Sequence, residues 1–228
     1  MRARSLLRSA ARLAPALALV GSAALVLLPA AAARADVTVR SLTQDLTVDD
    51  AVQVGFHSQV GELDAEATDG DSVRVEVAIQ CEKTDDERCR KIADSISLKI
   101  RRSGSRLGVD VSDWPKLRDR GLSVKAHLMI PRKLGLEVDM GVGEISIRGL
   151  EGDVEVDVGV GEISVVAPQK AFRSVSMDTG VGKADLVVGG HTIEGHGMVG
   201  GNLKWKDGPG PSHIELDSGV GDLRVELQ

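Results

Sequence analysis

The C-terminal part of the chain alternates apolar and polar residues and repeats one phrase: an alternating segment, a Gly-Val-Gly corner and a second alternating segment. Alternation at period two predicts β-strands with one apolar face. Glycines on both sides of the corner permit positive φ angles, which β-branched residues adopt only at a cost. Five copies can be traced, of which the fourth is degenerate: Glu137–Ile147, Glu155–Val165, Ser176–Leu186, Gly195–Trp205 and Glu215–Val225.

The regular copies repeat at intervals of about 20 residues. The Asp residues that precede their corners lie 18, 21 and 39 residues apart (139 to 157, 157 to 178 and 178 to 217), so the last interval covers two repeats. Spacing of this order is typical of stacked repeat architectures. The corner glycines of the regular copies are Gly141, Gly143, Gly159, Gly161, Gly180, Gly182, Gly219 and Gly221.

A single repeat cannot cover its own apolar row, whereas repeats stacked about 4.8 Å apart make the row continuous and pair every strand. The sequence therefore predicts an all-β domain built as a parallel β-solenoid. The alternation directs Met140 and Val142 of the first copy, and Val158 and Val160 of the second, into the core. One shared column of buried side chains is expected: Ile145, Ile163, Ala184 and Leu223.

The N-terminal part of the predicted domain is less regular. Segment 57–65 is a diverged copy of the repeated sequence, and it extends the repeat toward the N-terminus. An insertion at 81–121 contains a predicted short helix from Asp85 to about Ala93. We predict one β-solenoid domain over 36–228, with an irregular part at 36–123 and regular repeats at 124–228. Further strands are expected at Val37–Val39, Leu46–Val48, Val52–Val54, Val73–Ile79, Ser95–Ile100, Leu107–Val111 and Val124–Ile130.

Two segments at the start of the regular repeats carry a resemblance to a known family. Ala126-His-Leu-Met-Ile-Pro-Arg-Lys-Leu-Gly-Leu-Glu-Val138 and Gly143-Glu-Ile-Ser-Ile-Arg-Gly-Leu-Glu-Gly-Asp-Val154 are similar to the bacterial putative-adhesin family of β-strand-repeat proteins, a domain of unknown function. The likeness covers about 37–228, and the insertion at 81–91 and the degenerate fourth copy depart from it. It implies an exported β-helical domain at the bacterial envelope, with adhesion as the family's label.

The first 35 residues have the composition of a secretory signal peptide. Four arginines precede an Ala/Leu/Val stretch from about Ala14 to Ala33, and Ala33-Arg34-Ala35 supplies small residues for cleavage. This pattern predicts that residues 1–35 are removed, leaving no membrane span. The alternative is a retained N-terminal anchor, because the apolar stretch approaches spanning length.

Export predicts an oxidising setting, in which Cys81 and Cys89 form a disulfide. The rival hypotheses, a thiol nucleophile or a metal pair, lack a C-x-x-C spacing and a nearby histidine. Without the five arginines of residues 1–35 the formal charge changes from −6 to −11, with 23 basic and 34 acidic residues. A surface of this sign does not attract nucleic acid.

Equivalent repeat positions place acidic residues in two predicted ladders along the solenoid. The first ladder is a candidate for metal binding because it aligns carboxylates. Its acids do not follow the calcium-binding nonapeptide pattern, and this makes the candidate a weak one. The first ladder consists of Asp139, Asp157, Asp178 and Asp217. The second consists of Glu144, Glu162, Lys183, Asn202 and Asp222. No catalytic residue or cofactor-binding motif is predicted.

These patterns predict a non-catalytic exported protein of the periplasm or cell surface that serves as an adhesin-like binding or scaffolding domain. An envelope glycan, a protein or another copy of itself is the expected partner, without a cofactor. The alternative is a carbohydrate-active enzyme, a polysaccharide lyase or hydrolase, on the same scaffold. Such an enzyme would need several acids and a basic residue that converge in a groove.

Overall fold

Alternating apolar residues form strands throughout the part of the chain that the computed structural model describes, residues 37–81, 87–114, 122–197 and 200–228. Within these ranges lie helix α1 Glu87–Ser95 and a 3-10 turn at Gln169–Ala171. The predicted signal peptide at 1–35 and the predicted helix start at Asp85 lie outside them. The strands are β1 Val37–Thr47, β2 Gln53–Thr68, β3 Ser72–Cys81, β4 Ser97–Ser103, β5 Arg106–Ser112, β6 Leu122–Pro131, β7 Gly135–Arg148, β8 Val154–Val160, β9 Ile163–Ala167, β10 Phe172–Val181, β11 Ala184–Val188, β12 His191–Glu194, β13 Asn202–Trp205, β14 Ser212–Val220 and β15 Leu223–Leu227.

Each repeat bends at its corner into two halves, which we call the first arm, before the corner, and the second arm, after it. The first arms pair side by side in the order β4, β5, β2, β7, β8, β14, β10 and β13. The second arms pair in the order β1, β3, β6, β2, β7, β9, β15, β11 and β12. Strands β2 and β7 run through the corner and belong to both. Buried side chains from both arms form one core cluster, and the all-β prediction is confirmed.

The sheet is mixed. Repeats pair with one another in parallel, from β2 through β7, β8–β9 and β14–β15 to β10–β11. Antiparallel pairs join β1 to β3, β3 to β6, β4 to β5, β10 to β13 and β11 to β12. A parallel β-solenoid is therefore not confirmed as a description of the whole domain, because antiparallel strands extend the parallel stack at both ends.

The repeats do not stack in the order of the sequence. The C-terminal repeat, β14–β15, lies between β8–β9 and β10–β11. Stacking in chain order, with each repeat on its predecessor, is thus wrong for the third copy, which lies on the fifth, and for the fifth copy, which lies on the second. Every repeat presents the same backbone edges and the same apolar row, so several stacking orders satisfy the strand alternation.

The predicted column of buried residues is present. Ile145 pairs with Ile163, Ile163 with Leu223, and Leu223 with Ala184. Each of the four side chains is at most 2% exposed. Strand β2 extends the column, because Leu63 pairs with Ile145, and this confirms that segment 57–65 is a copy of the repeat.

The predicted burial of Val142 and Val160 is wrong, since each is 47% exposed. The reason lies at the corner. A Cβ on Gly143 would overlap the carbonyl oxygen of Gly61 in the neighbouring strand, so the backbones of stacked corners pack directly on one another. Met140 is the last buried residue before the corner and Ile145 is the first one after it, and Val142 lies outside the core between them. Five corner valines form one exposed row: Val60, Val142, Val160, Val220 and Val181.

The degenerate fourth copy does not form a repeat of the stack. Its strand β13 runs antiparallel to β10, and the preceding β12 runs antiparallel to β11. Together they end both arms of the sheet. Trp205 is partly buried there and packs against the core.

The insertion attaches to the N-terminal end of the stack. Cys81 at the end of β3 forms the predicted disulfide with Cys89 of α1. Ala93 and Ile96 are buried in the core, and strand β5 pairs in parallel with β2. In the described ranges no helix is both long and apolar enough to span a lipid bilayer.

Candidate binding groove and acidic ladders

A groove of about 1050 Å³ crosses the outer face of the second arms. Eight neighbouring strands line it, from β1 at one end to β11 at the other. One outward side chain from each strand forms its central row, because the strands pair in strict register. In stacking order this row is Thr43, Glu76, His127, Asp64, Ser146, Ser164, Arg224 and Asp185.

A second row runs beside the first, nearer the corners. It contains most of the second ladder predicted from the sequence, and its members also line the groove. They are Lys125, Glu62, Glu144, Glu162 and Asp222. Lys183 continues this row, and its backbone N–H donates to the Asp222 carboxylate at 2.9 Å. Asn202 does not belong to it, because β13 pairs with the first arm; that part of the prediction is wrong.

Ion pairs occupy one half of the groove. Arg148 Nη2 lies 2.8 Å from an Asp64 oxygen, and its hydrogen bond to that carboxylate raises the pKa of Arg148 above its usual value. Lys125 Nζ lies 2.7 Å from Glu62, and His127 Nε2 lies 3.3 Å from Glu66. These pairs tie β6, β2 and β7 together across their outer faces.

The other half of the groove presents side chains without such contacts. Within the described residues Glu162, Ser164, Asp185 and Arg224 make no side-chain hydrogen bond or ion pair. A guanidinium donates up to five hydrogen bonds and a carboxylate accepts several. This half of the groove can therefore bind a ligand that carries both hydroxyl and acidic or amide groups.

The first arms carry the predicted Asp ladder on their outer face. In stacking order it runs Asp139, Asp157, Asp217 and Asp178. A polar side chain lies beside each end of the ladder: His57 Nδ1 lies 3.3 Å from an Asp139 oxygen, and Asn202 Nδ2 donates to Asp178 at 2.6 Å.

The middle of the ladder concentrates negative charge. Burial, followed by repulsion from Glu215, Asp178 and Asp157, raises the pKa of Asp217. The described residues include no group of three or more His, Cys, Asp or Glu side chains arranged to hold a metal ion. The ladder thus spaces its carboxylates one per strand and does not converge them.

The corner glycines allow the backbones of adjacent repeats to approach closely. Gly161 has a φ of +155°, and a Cβ there would overlap the carbonyl oxygen of Gly143 in the next repeat. The equivalent glycines of neighbouring repeats follow the same contact pattern, so the backbones of adjacent corners pack directly on one another. These positions are structural, and they place the groove and the Asp ladder on opposite sides of the corner.

Sequence reasoning missed the groove. A usable signal was the position two residues after the second-ladder residue of each regular copy, which holds Ser146, Ser164, Asp185 and Arg224. The contributions of β1, β3 and β6 had no such signal, because these strands lie outside the repeats.

The fold and the groove define a class of protein, an all-β strand-repeat domain with a long open surface groove. The structure is similar to that of a putative cell adhesion protein from Clostridium sporogenes, with a TM-score of 0.51 and 14% identity, over 83% of this chain and 99% of that one. A putative adhesin from Bacteroides fragilis matches with a TM-score of 0.33 and 10% identity, over 82% of this chain and 98% of that one. No protein-family model and no curated protein matches the sequence. The predicted resemblance to putative adhesins is confirmed at the level of the fold.

Proposed function

We propose that this chain is a non-catalytic, exported envelope domain that binds an extended polymer in its groove, in the manner of an adhesin. The observation that carries the proposal is the central row of eight outward side chains, one from each strand. At about 4.8 Å per strand the row extends over roughly 34 Å. A groove of this length and openness suits a chain-like ligand better than a compact metabolite.

An envelope glycan is the polymer that the groove chemistry favours. Four side chains of the groove offer hydrogen-bond donors and acceptors without partners of their own in the described residues: Glu162, Ser164, Asp185 and Arg224. None of the chain's four Phe and Trp residues lines the groove. Binding therefore depends on hydrogen bonds spread along the ligand and not on stacking against a few sugar rings.

Export is supported by the signal-like composition of residues 1–35 and by the intramolecular disulfide between Cys81 and Cys89. Disulfides persist in oxidising compartments outside the cytoplasm. The periplasm or the cell surface is the proposed location.

The test is a glycan array and a peptidoglycan pull-down with the chain from residue 36 to 228, with and without calcium. Arg224→Gln should weaken retention about tenfold or more, since hydrogen bonds to charged groups contribute about 1.5–3 kcal/mol. Arg173→Gln removes the same charge from an exposed residue outside the groove and should change nothing. Equal retention of both variants, or no retained glycan, would contradict the proposal.

The calcium arm of the same experiment addresses the Asp ladder. If Asp139, Asp157, Asp178 and Asp217 hold cations, calcium raises the melting temperature of the protein, because a ligand that binds the folded state stabilises it. A melting temperature that is the same with and without calcium would contradict the hypothesis that the Asp ladder binds cations.

A carbohydrate-active enzyme is the second candidate, because acids and Arg224 share one groove. Its support is weaker, since Arg148 and Lys125 pair with Asp64 and Glu62 and the remaining acids stand in rows. Incubation with the glycans that bind, followed by an assay for new reducing ends or unsaturated products, separates the two functions. Product formation that Glu162→Gln abolishes would establish the enzyme.

A further inference from the structure

Strand β1 is the long open edge of the second arms. Its 11 residues pair with β3 on one side, and the described residues provide no strand on its other side. Unpaired strand edges present backbone donors and acceptors that can pair with another chain. The strand contains neither glycine nor proline.

Two arginines hold the ends of β1 and leave its middle open. Arg40 Nη1 donates to the carbonyl oxygens of Ala93, Asp94 and Ile96 at the end of α1, at 2.7–2.9 Å. At the other end, the guanidinium of Arg102 donates to the carbonyl oxygen of Thr47. Residues 41–46 lie between these two contacts.

The other edges of the sheet differ. Strand β4 carries Lys99, Arg101 and Arg102, and cations on an edge oppose pairing with a second copy. Strands β12 and β13 are four residues long. Short edges offer few backbone groups, so β1 is the edge best suited to accept a strand.

The core is incompletely covered along β1. Leu42 and Leu46 pair with Val77 and Val73, which are at most 1% exposed, yet the two leucines are only partly buried. A further strand beside β1 would cover them and so remove apolar surface from water.

We propose that β1 pairs antiparallel with β1 of a second copy of this chain, about a twofold axis at Gln44. Directly opposite residues of antiparallel strands share a face, so this register sets Leu42 opposite the partner's Leu46 on the core side. On the outer side it sets Thr43 opposite the partner's Asp45. No two like charges face each other within residues 41–46, which include Asp45 as their one charged residue. A register shifted by one residue would place core-facing side chains opposite outward-facing ones. The alternation of side chains along a pleated strand excludes that register.

The same pairing joins two grooves, a consequence that rests on the proposed function. Ser41 and Thr43 of β1 line the groove, which therefore reaches the open edge. A twofold axis perpendicular to the sheet keeps both outer faces on one side. The dimer then presents a groove that crosses sixteen strands, and a long glycan could lie across both copies.

Sedimentation of the chain from residue 36 to 228 over a range of concentrations tests the pairing. A dimer that forms with rising concentration is expected, because one strand pair makes a small interface of the kind found in weak complexes. A monomer at all concentrations overturns the proposal. Glycan binding is measured separately, so failure of the dimer and failure of the proposed function are distinguishable.

Two variants with the same added charge test the register. Gln44→Lys places the introduced lysine opposite its own copy and should weaken the dimer at least about threefold, since like charges directly opposite destabilise a strand pair. Thr43→Lys places a lysine opposite the partner's Asp45 on both sides of the axis and should tighten the dimer. Effects in the same direction, or no effect, overturn the twofold axis at Gln44.

A crosslink gives the second measurement. Both native cysteines are bonded to each other, so Gln44→Cys supplies a single free thiol at the proposed axis. Gentle oxidation should yield a covalent dimer, because opposite Cβ atoms lie about 4.5–5.5 Å apart in such a pair. Thr192→Cys on the exposed strand β12 is the control and should stay monomeric. Equal crosslinking at both positions contradicts the proposed pairing, and unchanged melting temperatures show that each variant folds.

Discussion

At the scale of single residues, the corner glycines determine how closely repeats can stack. Gly161 lies in the interior of the stack, between Gly143 and Gly221, and the backbone of Gly143 occupies the space where a side chain at Gly161 would begin. Its positive φ adds a second reason for glycine, since L-residues rarely adopt that conformation.

Gly161→Ala should therefore lower the free energy of unfolding by about 2–5 kcal/mol, from backbone strain and steric overlap together. Gly70→Ala is the matched control. The nearest atom to its added Cβ is Thr68 Oγ1 at 3.7 Å, and it should change stability by less than about 1 kcal/mol. Urea titration of both variants measures the difference, and similar losses would contradict the role of the corner.

The Asp ladder gives a residue-scale prediction with a defined pH dependence. Burial and three neighbouring carboxylates raise the pKa of Asp217 in the folded state. A raised folded pKa means that this group favours folding at low pH and that its contribution is lost as the pH rises through that pKa. Two neighbouring unit charges at about 4.8 Å each oppose the ionised form by roughly 0.9 kcal/mol in water before salt screening.

Asp217→Asn should consequently stabilise the protein at pH 7 by up to about 1 kcal/mol, and the gain should vanish near pH 3 and shrink with added salt. Asp139→Asn is the control, because Asp139 lies at the end of the ladder beside His57 and should show a smaller gain or a loss. The melting temperatures of both variants and of the unaltered protein, measured at several pH values, test this prediction. A gain that persists at pH 3 would show that repulsion is not its cause.

At the scale of elements, α1 is held to the sheet by Arg40 and the disulfide. Nη1 of Arg40 shares its two N–H groups among the carbonyl oxygens of Ala93 and Asp94 in the last turn of α1 and of Ile96 just after it. The carbonyl oxygens of a last helical turn have no partner within the helix. Arg40→Met keeps the aliphatic stem but removes the donors. The variant should lose about 1–3 kcal/mol, the cost of leaving partly buried acceptors unpaired.

That loss should be local. Hydrogen exchange should speed up at the amides of α1 and leave those of β7, β8 and β9 unchanged, because the disulfide still fixes Cys89. Arg173→Met, at an exposed position away from α1, serves as the control. Faster exchange throughout the sheet would mean that Arg40 supports the whole stack.

The elements also show how far the sequence specifies this fold. Period-two alternation and the corner glycines suffice to predict the strands of the repeats, the bends and the column that contains Ile145 and Ile163. Near the N-terminus they predict two strands, Val37–Val39 and Leu46–Val48, where the structure has the single strand β1 Val37–Thr47. They do not predict which repeat stacks on which, because all repeats offer similar edges. The exposure of Val142 also escapes the pattern, because strict alternation places it on the same face as the buried Met140.

Only one half of the groove could be predicted from the sequence, for a related reason. The half near β9, β15 and β11 is lined by residues at equivalent positions of the repeat, so these residues could have been identified from the sequence. Its half near β1, β3 and β6 comes from strands that join the stack antiparallel or from outside the repeat. Their register against β2 follows from tertiary pairing.

At the scale of the whole molecule, the displaced C-terminal repeat changes what a truncation does. In a solenoid stacked in chain order, removal of the last repeat exposes one neighbour and leaves the rest folded. Here β14–β15 lies between two other repeats and contributes Ile214, Leu216, Leu223 and Val225 to the core, each at most 1% exposed. Its loss would expose β8–β9 on one side and β10–β11 on the other.

Deletion of residues 212–228 should therefore abolish the cooperative thermal transition of the whole chain, seen by circular dichroism. A synthetic peptide of residues 212–228, added in excess, should restore part of the strand signal, because it can re-enter between the separated repeats. A peptide with Leu216→Asp and Val225→Asp is the control and should not restore it, since a buried unpaired charge opposes insertion. A truncated chain that keeps a cooperative transition would show that β10–β11 can stack directly on β8–β9, and that the order of the repeats is a preference and not a requirement.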